Sequence, residues 1–175
     1  MIDSELVFAY AKCGQRRLPD LEVFISEPNQ ADLNAVGERC VEDKLNEAAK
    51  LLFTRLGNSN RLAQVLVRLK EYQAAFDAAK KADIPKVWKE VCFACVRAKE
   101  FRTASLCGTH IIIHPDHLED LIVFYERFGY YEELIALLEQ GMALDRTHNG
   151  IFTELGIMYA KYLPERLMDH ARTYC

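Results

Sequence analysis

The sequence predicts an all-α fold, a right-handed α-α superhelix in which short antiparallel helix pairs stack as a solenoid. Three observations predict it. An apolar phrase with helical spacing recurs at intervals of 27, 27, 29 and 30 residues. Nearly every recurrence is preceded by a second apolar stretch of the same periodicity. Prolines stand where these stretches begin, and Gly14, Gly57 and Gly129 fall in the turns between them.

Taken in order, six units of about 29 residues emerge, with approximate limits 1–31, 32–58, 59–83, 84–114, 115–146 and 147–175. In the first, Met1 opens a helix and Leu18-Pro-Asp-Leu-Glu-Val-Phe-Ile forms its partner. The second carries Leu45-Asn-Glu-Ala-Ala-Lys-Leu-Leu. The third joins the stripe Leu62, Val65, Leu66 and Leu69 to Tyr72-Gln-Ala-Ala-Phe-Asp-Ala-Ala. In the fourth, Trp88, Val91, Cys92, Cys95 and Val96 precede Phe101-Arg-Thr-Ala-Ser-Leu-Cys-Gly, and Ile111 to Ile113 reads as a helix end stopped by Pro115. The fifth pairs Leu118, Leu121, Ile122 and Tyr125 with Tyr131-Glu-Glu-Leu-Ile-Ala-Leu-Leu. The last begins with Phe152, Leu155, Met158 and Tyr159, and Leu163 to Cys175 opens a further unit.

Each phrase starts on a large apolar residue and repeats apolar or small residues three and four positions on, one face of a helix. Ala48, Ala75 and Ala104 share the third position after that start, where a small side chain lets a neighbouring helix approach to about 8 Å. Pro19, Pro85, Pro115 and Pro164 stand where helices begin, the place where a missing N–H costs least. Gly14, Gly57 and Gly129 fall in turns. About 12 residues per helix give eleven or twelve helices of roughly 18 Å each. Pairs this short cannot bury an apolar face alone, so they must stack on their neighbours as one continuous, extended segment. Neither terminus resembles a polar capping repeat, as expected of a segment of a longer solenoid.

Composition excludes several classes. A net charge of −4 offers no general field for a phosphate backbone, so nucleic acid is not an expected partner. No apolar run approaches the roughly 20 residues that span a bilayer, and the first residues lack the basic and apolar regions of a secretory signal, so a cytoplasmic chain without membrane insertion is expected. The six cysteines, at 13, 40, 92, 95, 107 and 175, lie mostly inside apolar helical patterns and read as reduced, largely buried thiols.

Two constellations invite chemistry. Cys92 and Cys95 have the spacing of a redox or half-zinc motif, but no second pair completes a ligand set. Both share the stripe of Trp88, which makes all three core residues with Ala48, Ala75 and Ala104. His110 and His114 have the i, i+4 spacing that chelates zinc on a helix, yet Pro115 should place His114 in a turn and His117 in the next helix. Carboxylates such as Glu132 and Glu133 are adjacent and point apart. No enzymatic activity, metal or cofactor is expected, a thiol- or zinc-dependent protein being the distant alternative.

A basic residue also recurs near the turn inside each pair, at Arg17, Lys44, Lys70, Lys99, Arg127 and Lys161. Favourable placement of a cation in the last turn of a helix accounts for this, at a few tenths of a kcal/mol. The alternative is a ladder that binds a partner.

Several phrases resemble the clathrin heavy-chain family: the opening Met1-Ile-Asp-Ser-Glu-Leu-Val-Phe-Ala-Tyr-Ala-Lys, Ala48-Ala49-Lys50-Leu-Leu, Glu71-Tyr-Gln-Ala-Ala, Trp88-Lys-Glu-Val-Cys-Phe-Ala-Cys-Val and Tyr131-Glu-Glu-Leu-Ile. The nonapeptide at Trp88 is the most distinctive, and the resemblance runs over essentially the whole chain. Cys13 to Arg17 is longer than the family's first turn, and Ile84-Pro85, Arg97-Ala98 and Tyr174-Cys175 depart from the family pattern, as a divergent species or a paralogue would. The resemblance implies a leg segment that supports lattice assembly on coated vesicles and coated pits, in endocytosis and intracellular transport, with clathrin light chain and other heavy chains as partners. Subunits of vacuolar sorting complexes are the alternative with similar repeats.

Overall fold

A computed structural model describes residues 2–173, and among them the regular structure is entirely helical. Met1, Tyr174 and Cys175 lie outside the described residues. The helices form two compact units, one running to Val87 and the other starting at Trp88.

The first unit contains α1 (Ile2–Lys12), α2 (Leu18–Ser26), α3 (Leu33–Glu42), α4 (Asn46–Leu56), α5 (Ser59–Arg68) and α6 (Tyr72–Ala82). A single 3₁₀ turn, Gln15–Arg17, leads into α2. α1 packs on α2, α3 on α4, α4 on α5 and α5 on α6, and α1 also packs on α3 and α2 on α4, so first helices form one layer and second helices another. The core lies between the layers, with Val7, Leu21, Cys40, Ala49, Leu52 and Phe53 all buried. Ion pairs cross between layer neighbours: Arg39 with Glu5 at 2.7 Å, Arg61 with Glu38, and Lys50 with Glu71 at 2.7 Å. Their side chains are a third or more exposed, so each pair adds at most about 1 kcal/mol and the apolar core carries the stack.

The second unit takes in most of α7 (Pro85–Arg97), then α8 (Phe101–Ile112), α9 (Pro115–Phe128), α10 (Tyr131–Met142), α11 (Asn149–Tyr162) and α12 (Pro164–Thr173). Its arrangement is the same. Cys92 of α7 meets Ala104 of α8, α8 packs on α9 and α10, and α10 packs on α11. Here too ion pairs link alternate helices, Lys89 to Asp120 at 2.8 Å and Lys161 to Glu126 at 3.0 Å. The segment from Leu163 packs on α11, with Arg166 of α12 reaching Glu139 of α10. Pro164 supplies its start, and the neighbouring layer is already there to receive it.

The helix starts follow from local chemistry. Asp32 and Asn58 cap α3 and α5 by accepting from Ala35 N–H at 3.0 Å and Arg61 N–H at 3.2 Å. His148 caps α11 with Nδ1, accepting from Gly150 N–H at 3.1 Å, so its Nε2 carries the proton and donates to Ile112 C=O at 2.8 Å. Second helices start without side-chain caps, directly from a tight turn.

Small residues set the spacing between layers. The third position after each phrase start, Leu21, Ala48, Ala75, Ala104 and Leu134, is buried throughout. Three helical glycines make closer contacts. A Cβ on Gly37 would lie 2.9 Å from the Phe53 ring, one on Gly108 2.6 Å from Leu137, and one on Gly141 2.5 Å from Ile112. The last two are reciprocal: α8 offers a glycine to a leucine of α10, and α10 a glycine to an isoleucine of α8.

Candidate functional site

The tight turns that join paired helices share one geometry. In four of them the chain leaves the first helix through a residue in the left-handed region: Lys44 at φ 60°, Lys70 at 63°, Lys99 at 62° and Gly129 at 73°. The next residue, Leu45, Glu71, Glu100 or Tyr130, has φ between −81° and −93° and ψ between 61° and 67°, and it starts the second helix. Its N–H donates five residues back, Leu45 to Cys40 C=O at 2.7 Å, Glu71 to Leu66 at 2.9 Å, Glu100 to Cys95 at 2.9 Å and Tyr130 to Tyr125 at 3.1 Å. The left-handed residue donates three back, as from Lys44 to Val41 C=O at 3.2 Å. This is the Schellman closure, in which orphan carbonyls at a helix end are satisfied by a turn that glycine enters most readily. Gly129 meets that demand. Three lysines stand where it is strained for them, at about 1 kcal/mol each.

The six basic residues therefore do not hold one equivalent position. Lys44, Lys70 and Lys99 do, and all three side chains are exposed. Arg17 ends the 3₁₀ turn and pairs with Asp20 at 2.7 Å. Arg127 lies in the last turn of α9, two residues before Gly129, and Lys161 lies in the last turn of α11, paired with Glu126. Beside Lys44 a shallow cleft of about 160 Å³ is lined by Ala11, Gly14, Leu18 and Asn46. The Oδ1 of Asn46 is buried there without a hydrogen-bond partner.

The cysteines form an interior cluster. Cys92, Cys95 and Cys107 are all 0% exposed, with Trp88 at 2% beside them. Cys92 Sγ lies 3.4 Å from Ala104 C=O, and Cys92 is also hydrogen-bonded to Tyr125. Burial pushes the Cys92 thiol far above the ordinary cysteine range and the Tyr125 hydroxyl above that of tyrosine. A hydrogen bond to Cys95 raises Cys107 further, and the same bond lowers Cys95. In the first unit burial raises Cys40 to about 11. A protonated, buried thiol is a poor nucleophile and a poor ligand.

His110 is stacked on Trp88 with centroids 4.1 Å apart and planes 3° from parallel. His114 is the residue that starts α9, and His117 lies within α9 with its ring 6.2 Å from that of His114. Among the described residues, no three of His, Cys, Asp and Glu converge as a metal site. No helix among them is long and apolar enough to cross a membrane.

Comparisons with known proteins agree in direction. A family model described as a region in clathrin and VPS matches residues 1–103 and 110–174. Over 173 residues, 99% of the chain, it is 53% identical to a clathrin heavy chain of Drosophila melanogaster and 54% identical to one of Dictyostelium discoideum. It is 50% identical to clathrin heavy chain 2 of Homo sapiens over the same length. The chain spans 10% of the length of each of these relatives.

Proposed function

Because the chain belongs to the clathrin repeat family, we propose that it works as a leg segment of a clathrin heavy chain, a mechanical scaffold in vesicle-coat assembly and not a catalyst. The observation that carries this reading is the half-identity to heavy chains of distant organisms along nearly the whole chain. The same relatives favour a coat segment over a subunit of a vacuolar sorting complex. The setting that follows is the cytoplasmic face of coated vesicles and pits, with other heavy chains and a clathrin light chain as partners.

For the light chain, the lysine turns are the surface to test. Local chemistry alone would select glycine where Lys44, Lys70 and Lys99 stand, so a second requirement for the side chain explains the strained residue. An exposed cation contributes at most about 1 kcal/mol, so apolar anchors must supply most of the affinity. Two triple variants separate the roles. Replacing Lys44, Lys70 and Lys99 by Gly should raise stability by about 1 kcal/mol per site, read as the denaturant midpoint, and should also weaken light-chain binding at low salt. Replacing them by Glu should weaken it further, by about tenfold or more, with high salt shrinking the difference. Unchanged binding by both variants would leave the lysines as helix-end residues only.

A further inference from the structure

The groove between α9 and α11 carries one ion pair, an apolar floor and two glutamates outside any ion pair among the described residues. The two helices approach at both ends of the groove: a Cβ on Gly150 would lie 3.6 Å from Leu118, and Lys161 pairs with Glu126 at 3.0 Å. Thirty-five residues separate Glu126 from Lys161, and the same offset relates Ile122 to Ile157 and Glu119 to Glu154. Counted by that offset, successive rungs hold Glu126 and Lys161, then Ile122 and Ile157, then Glu119 and Glu154. All six residues line one groove of about 560 Å³. Glu119 and Glu154 have no ion-pair partner among the described residues, whereas Arg39 with Glu5, Arg61 with Glu38 and Lys89 with Asp120 join alternate first helices elsewhere. Ile157 remains 39% exposed at the floor.

We propose that this groove docks a basic amphipathic helix of a partner protein, whose Lys or Arg lies between Glu119 and Glu154 and whose aliphatic residue, one turn along, covers Ile122 and Ile157. The spacing supports this occupant. The two rungs are three residues apart, about 4.5 Å along the axis, which matches a cation and an aliphatic side chain at i and i+3 or i+4 of a helix. Charge chooses the sign, because an acidic segment would add a third carboxylate to the two that line this part of the groove. Lys161 does not cancel the field at that rung, since Glu126 engages it two turns, about 10 Å, away. The inference concerns a different surface from the lysine turns and stands without the coat reading.

The test uses fluorescence anisotropy with two labelled helical peptides, one presenting Lys and Leu at i and i+4 and the other with each Lys replaced by Glu. The basic peptide should bind the chain saturably, and the acidic one should not. Glu119→Gln with Glu154→Gln should weaken the basic peptide about tenfold at low salt with helical content unchanged. As a second variant on the exposed floor, Ile157→Ser should weaken it as well. Four results would overturn the proposal: no saturable binding, equal binding by the parent and the Gln variant, acidic peptide binding as tightly as basic, or a groove-dependent self-association of the chain in sedimentation.

Discussion

Phe53→Ala should destabilise the first unit by about 3–5 kcal/mol, the range for deleting a fully buried aromatic ring. Phe53 is 0% exposed on α4, its ring edge fills the space that Gly37 leaves on α3, and the Arg61 guanidinium of α5 lies 6.0 Å from its centroid. One ring therefore ties three consecutive helices together. Gly37 has no side chain to move into the cavity, and the backbones are held apart by Leu52 and Val36, both buried. The denaturant midpoint should fall with little change in slope. Because stacked repeats depend chiefly on their immediate neighbours, amide exchange should accelerate in α3, α4 and α5 well before it does in α9 to α11. Uniform acceleration along the chain would contradict that local account.

The second large effect comes from adding volume. Gly108→Val and Gly141→Val should each cost about 1–3 kcal/mol, although a residue in place of glycine inside a helix ordinarily gains stability. The added Cβ would sit 2.6 Å from Leu137 at one site and 2.5 Å from Ile112 at the other. Both neighbours end in flexible groups, but Leu137 is 1% and Ile112 0% exposed, so neither can swing into solvent. Since the sites form the two halves of one α8 to α10 contact, the double variant should not be additive: once the helices are pushed apart by the first substitution, the second costs less. Strict additivity in thermal or denaturant unfolding would mean that the two contacts are independent.

Much of this fold was legible in the sequence because its signals are local. The phrases at Leu18, Tyr72, Phe101 and Tyr131 coincide with the first residues of α2, α6, α8 and α10, and Leu45 immediately precedes α4. Pro115 opens α9 and leaves His114 in the turn after α8, and Gly57 and Gly129 take left-handed conformations. What was not legible depends on three dimensions or on an unexpected residue type. A lysine carries no mark of a left-handed turn, which glycine or asparagine would have signalled, so the equivalence of Lys44, Lys70 and Lys99 and the separateness of Arg17, Arg127 and Lys161 are visible only in the backbone. Helical Gly108 and Gly141 read as weak helix formers until their neighbours are known. The groove that Glu119 and Glu154 both line needs two helices from successive pairs.

The central claim is that this chain is an interchangeable segment of a heavy-chain scaffold, and replacement tests it most directly. The corresponding tenth of the Dictyostelium discoideum clathrin heavy chain would be exchanged for this chain, and the purified chimera would be sedimented under assembly conditions and imaged. The account predicts that the chimera forms closed lattices like the parent. A chimera that is folded by circular dichroism and retains the parent's oligomeric state, yet yields no lattice at any concentration that assembles the parent, would contradict it.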